Sequence, residues 1–153
     1  MKLADAQALA ELYLEHHLPA WSFKFNRRKK ALGVAKLQLK RIELSEFWAV
    51  HLKEAEVLDT LLHEIAHAMA WDLEQHSGHG TPWKRYCRQL GARPSRVADV
   101  KSVTPILEKA ATWKILCACG KTYYYYRKPR INLARAECRV CHTLGQFELK
   151  KNK

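Results

Sequence analysis

The segment His63-Glu64-Ile65-Ala66-His67 sets two imidazoles four residues apart, with a carboxylate beside the first. On a helix, residues i and i+4 lie one above the other on the same face, so both rings can reach one metal ion. Glu64 is then placed to take a proton from a water activated by that ion. Leu61, Leu62, Ile65 and Ala66 make the surroundings apolar. A low local dielectric strengthens an ion's hold on water. Two histidines and an acid are also costly to bury unless something binds them. The pattern therefore predicts a zinc site that hydrolyses a peptide bond, with Glu64 as general base.

A catalytic zinc needs a third protein ligand and an open position for water. His79, His76 and Glu74 are the downstream choices. His79 is preferred because Gly78 and Gly80 flank it and would let the backbone turn sharply. His76 and Glu74 stay open on spacing alone.

Cys117-Ala-Cys119 and Cys138-Arg-Val-Cys141 form two close pairs separated by 18 residues. Two such knuckles give the closed tetrahedral sulfur coordination of a structural zinc. Metal would supply much of the folding energy of so small a unit. Two disulfides, an iron–sulfur centre, or His142 in place of one thiolate are the alternatives. Cys87 stands apart and reads as core packing.

The 153-residue chain has a formal net charge of +12, and 48% of its residues are apolar. That is enough apolar material for a core and argues against a wholly disordered chain. The charge is segregated. Ser22 to Arg41 holds eight bases and no acid, whereas Ile42 to His76 holds eight acids and only Lys53. Bases dominate again from His79 onward. Separated basic blocks suit a polyanion, because each cation near a phosphate releases counterions. The turn Arg27, Arg28, Lys29 and Lys30 is one candidate contact. The run Tyr123 to Tyr126, followed by Arg127, Lys128 and Arg130, is another. On a strand, Tyr124 and Tyr126 share one face, where they could stack on unpaired bases. Arg135, Arg139 and the tail Lys150, Lys151 and Lys153 would add phosphate contacts. No apolar run is long enough for a membrane span. Asp5, Glu11 and Glu15 interrupt what would be a signal peptide's apolar stretch, so export is not expected.

These groups need elements to hold them. Apolar spacing predicts a helix over residues 4–16 and another from about Leu52 to Leu73. Trp21, Phe23 and Phe25 alternate as a strand. A second alternation runs through Ala35, Leu37 and Leu39, and Arg41 to Leu44 either extends it or begins a third strand. These strands suggest a small antiparallel sheet. Thr81 would cap a helix with Pro82 at its first turn, ending at Gly91. Residues 91–112 read as a connection, and short strands at 113–116, 122–127, 133–136 and 144–149 carry the cysteine turns. The expected domains are 1–108 and 109–153.

The chain resembles the SprT-type metalloproteases, related to the Spartan proteases of DNA–protein crosslink repair. The resemblance rests on Asn26 with the basic turn after it, Arg41-Ile-Glu-Leu-Ser45, and the His63-Glu64-x-x-His67 helix. It continues through Gly78-His79-Gly80, Trp83 and the cysteine ribbon. It implies an α+β, zincin-like domain of helices on a small antiparallel sheet, followed by a zinc ribbon. It implies one catalytic zinc on His63, His67 and His79, with Glu64 as the catalytic acid, and one structural zinc on Cys117, Cys119, Cys138 and Cys141. The implied activity is cleavage of proteins bound or crosslinked to DNA, without sequence preference, stimulated by single-stranded or partly unpaired DNA. The implied location is cytoplasmic, near the nucleoid. A nucleic-acid-binding zinc protein without protease activity, or a metallohydrolase of substrates not bound to DNA, are the competing classes.

Overall fold

The computed structural model describes residues 1–96 and 100–152 and divides the chain into two compact units, Met1–Ala98 and Asp99–Lys153. Lys153, one of the expected tail contacts, lies outside the described residues.

The first unit opens with α1 (Leu3–His17), which buries Ala6, Ala10 and Leu14. Three short strands follow: β1 (Ser22–Asn26), β2 (Gly33–Lys36) and β3 (Arg41–Ser45). The sheet order is β1-β3-β2, with β1 parallel and β2 antiparallel to β3. The sheet is therefore mixed where a purely antiparallel one was expected. The second alternation also stops at Lys36; Leu37–Leu39 is a 3-10 turn, and Lys40 takes a left-handed conformation (φ 44°) that starts β3. The reason β3 takes the centre is burial. Ile42, Leu44 and Ser45 are at most 2% exposed and Glu43 only 4%, so β3 is enclosed on both faces.

Ser45 ends β3 and caps a six-residue helix, α2 (Glu46–His51), by accepting from the Trp48 N–H at 3.4 Å. Helix α3 (Glu54–Glu74) begins separately, with the Glu56 carboxylate accepting from the Lys53 N–H at 3.1 Å. From Leu61 to Ala70 it is buried nearly all round. It ends at Gln75, which is left-handed (φ 53°). Helix α4 (Thr81–Leu90) is capped by Gly80; Thr81 is its first residue and makes no side-chain cap.

The second unit contains α5 (Val100–Ala110), a helix across a stretch read as connection, then β4 (Trp113–Cys117), β5 (Thr122–Tyr125) and β6 (Phe147–Lys151). The order β5-β4-β6 is antiparallel throughout. Leu133–Arg135 forms a 3-10 turn instead of a strand. Among the described residues, no helix is long and apolar enough to cross a membrane.

Candidate metal centres

Helix α3 carries His63 and His67 on one face, and the loop before α4 brings His79 to them. Nε2 of His79 lies 3.1 Å from Nε2 of His67 and 3.3 Å from Nε2 of His63. Tetrahedral zinc with bonds of about 2.05 Å to nitrogen spaces its ligand atoms about 3.3 Å apart. The three nitrogens thus fit one ion, and at most one hydrogen can sit between any two of them. Burial pushes the His67 imidazole down to about 3, helped by His63. Burial and then His79 push His63 down to about 4. Both rings are held neutral, the form that binds metal.

His76 does not join them. Its Nε2 accepts from the Gly80 N–H at 3.2 Å, and a Cβ on Gly80 would lie 2.7 Å from its ring. Gly78 and Gly80 have ordinary backbone angles. The glycine at 80 is needed for this close approach, rather than for a left-handed turn. Glu74 is likewise occupied, by Arg85 and by the Tyr86 hydroxyl at 2.8 Å.

Glu64 is 9% exposed and packs against β2. Burial raises its carboxyl to about 7, opposed by a hydrogen bond from the Ala35 N–H. The register explains that donor. Ser45 N–H bonds to Leu32 C=O, so residues 32, 34 and 36 turn their polar backbone groups to β3. Ala35 is left facing the open edge, where Glu64 meets it.

Trp83 had no role in the spacing of the metal residues, yet it touches all three histidines. Its ring centroid is 4.8 Å from His63, 5.3 Å from His67 and 4.5 Å from His79. It is fully buried, and its indole N–H reaches the His63 carbonyl at 3.4 Å. Its position two residues after the Thr81 helix start was the available signal.

In the second unit, Sγ of Cys117 lies 3.6 Å from that of Cys141, and Sγ of Cys119 lies 3.8 Å from that of Cys138. These exceed a disulfide bond of about 2.05 Å. They match the spacing of about 3.8 Å that zinc–sulfur bonds of about 2.3 Å impose. The Tyr123 hydroxyl, 3.3 Å from Cys138 Sγ, helps hold that thiol down to about 6, with the Cys141 N–H next. His142 pairs with Glu137 at 2.7 Å, away from the thiols. The two clusters match a catalytic plus a structural zinc arrangement.

The expected nucleic-acid residues fall on both units. Arg27, Arg28, Lys29 and Lys30 are exposed in the turn after β1. Arg127, Lys128, Arg130, Arg135 and Arg139 are exposed on the ribbon, with Lys128 Nζ 5.4 Å above the Trp113 ring. Tyr124 and Tyr126 are half-buried. Burial, then Glu108, raises the Tyr124 phenol.

The SprT-like family profile matches residues 4–102 of this chain. The chain belongs to the SprT-like family. Protein SprT of Vibrio atlanticus is 26% identical over 119 residues, covering 77% of this chain and 70% of its own length. Protein SprT of Erwinia tasmaniensis is 24% identical over 147 residues, covering 93% and 84%. The crystal structure of the metallopeptidase zymogen of Methanocaldococcus jannaschii jannalysin aligns over 71% of this chain and 93% of its own, at 14% identity and a TM-score of 0.45. The SprT-like match spans α1 through α4 and so includes the three-histidine cluster.

Proposed function

We propose that this SprT-like chain is a zinc endopeptidase acting on proteins bound or crosslinked to DNA. The observation that carries the peptidase reading is the convergence of three Nε2 atoms at a helix that also carries, next to His63, a buried carboxyl with a raised proton affinity. His63, His67 and His79 would hold the catalytic ion. Bound zinc would supply Lewis acidity to a substrate carbonyl and make water acidic near neutral pH. Glu64 takes the proton of the attacking water and delivers it to the leaving amide nitrogen. A carboxyl near 7 suits both transfers. The Ala35 N–H fixes one face of that carboxylate, and the outward polar groups of β2 offer a substrate strand backbone partners. Cys117, Cys119, Cys138 and Cys141 would hold the structural ion of the second domain.

The DNA part of the reading is supported by the segregated charge. The turn at 27–30 and the ribbon bases would contact phosphates, with Tyr124 and Tyr126 beside them. Unpaired DNA is the favoured form, without sequence preference, and a place near the nucleoid follows from it. The test is cleavage of a DNA-bound protein with and without single-stranded DNA, with a Glu64→Gln control and a metal count. Cleavage that DNA stimulates, lost in the variant, with two zinc ions per chain, is expected. Zinc retained without cleavage under every DNA condition would favour a binding protein.

A further inference from the structure

The basic turn after β1 is built differently from a solvated loop. Its side chains are exposed, but its backbone is tied down from below by three side chains of the first unit. Asn26 Oδ1 accepts from the Arg28 N–H at 2.9 Å. The Ser45 hydroxyl donates to the Arg28 carbonyl. The Trp48 indole N–H donates to the Lys29 carbonyl at 3.2 Å. Ser45 and Trp48 are at most 2% exposed, so these anchors belong to the core. Lys29 Nζ also sits 4.7 Å over the Phe47 ring.

One anchor is itself oriented. Asn26 Nδ2 donates to Glu43 Oε2 at 3.3 Å, which turns its oxygen toward Arg28. Glu43 is 4% exposed on the central strand, and Arg41 grips its other oxygen at 2.9 Å. A buried carboxylate with two donors is an ordered point, and it holds the amide of Asn26 in one orientation. The chain Arg41–Glu43–Asn26–Arg28 thus runs from the sheet's centre to the turn.

Four flexible cations gathered on a mobile loop lose backbone and side-chain freedom when they meet a polyanion. A backbone fixed beforehand removes part of that loss. We propose that the turn is a preorganised clamp for the phosphate backbone of nucleic acid, and that Asn26, Ser45 and Trp48, with Glu43 behind Asn26, are its positioning residues. This rests on the reading of the turn as a DNA contact.

The experiment uses the full zinc-loaded chain and fluorescent single-stranded DNA, titrated at several salt concentrations. Ser45→Ala and Trp48→Phe each remove one anchor and leave the net charge unchanged. Each is expected to weaken binding about three- to tenfold and to flatten the salt slope by about one phosphate contact. Ser45→Thr, which keeps the hydroxyl, is expected to bind as the parent does. Zinc content and melting temperature identify the folded fraction, and only folded protein is titrated. The quadruple change of Arg27, Arg28, Lys29 and Lys30 to Ala tests the contact itself and should flatten the slope further. If that variant loses affinity and slope while both anchor variants match the parent, the positioning proposal fails and the contact stands. If the quadruple variant binds as the parent does, the contact reading fails and the proposal falls with it.

Discussion

A Cβ placed on Gly33 would stand 2.9 Å from Cγ of Glu64, and 3.0 to 3.1 Å from Leu44 and Thr60. The edge strand β2 passes so close to α3 that only hydrogen fits between them. Gly33→Ala must therefore move Glu64 or lift β2. Overpacking of this kind costs about 1–3 kcal/mol of stability. Displacing Glu64 from the position its proposed role as general base requires should lower kcat by about a hundredfold. Zinc content should be unchanged, because the atoms the new Cβ meets belong to Glu64, Leu44 and Thr60 and to none of the three histidines. Steady-state kinetics beside metal analysis checks this; a variant with parental kcat would show that Glu64 does not need this position.

The ring of Trp83 forms a shared wall for the three imidazoles. Outer contacts of this sort fix the ligands' orientation and alter metal affinity by about 10- to 100-fold when removed. Trp83→Phe should keep the fold but lose the bond to the His63 carbonyl, so zinc affinity should fall about tenfold in competition with a chelator. Trp83→Ala should also lose about 3–5 kcal/mol of stability, the cost of emptying a large core site. Unchanged affinity in the Phe variant would reduce Trp83 to packing.

Much of this site was legible from spacing. His63 and His67 announce themselves by one helical turn, and the cysteine pairs by their two knuckles. Elsewhere the local signal was too weak or pointed the wrong way. Helix α2 is six residues long, too short to establish a period, although its Ser45 cap was present. Helix α5 contains Pro105, which lacks an N–H and ordinarily marks a break. Strand order depends on which alternating segment buries both faces, and only tertiary packing shows that β3 does. In sequence Gly80 signals a flexible turn, whereas in the structure it makes room for the His76 ring.

Thiol counting separates the five cysteines. Burial, and then Asp59, pushes the Cys87 thiol up to about 12, so it resists alkylation in the folded protein. A chelator should expose four reactive thiols, and the fifth should appear only in denaturant. The same treatment should unfold the second unit, whose small core relies on its metal. Four thiols reactive before chelation would argue against bound zinc there.

Removing zinc should leave the first unit's stability dependent on pH, with a sign set by His63 and His67. An unfolded histidine titrates near about 6.5, whereas the folded pair is held to about 4 and about 3 by burial. Between those values the two histidines bind more protons in the unfolded chain than in the folded one, which outweighs the single extra proton that Glu64, raised to about 7, holds in the folded chain, so acid favours unfolding. The melting temperature of the zinc-free protein should fall steadily as pH drops from about 6.5 toward about 4. Replacing both histidines with Gln should remove most of that fall, because neither side chain then takes up a proton and the raised Glu64 carboxyl, protonated earlier in the folded chain than in the unfolded one, works in the opposite direction. Calorimetry of the zinc-free parent and the double variant provides the comparison. Parallel profiles would mean that these imidazoles are hydrated and charged in the folded chain, which is incompatible with the closed three-nitrogen cluster.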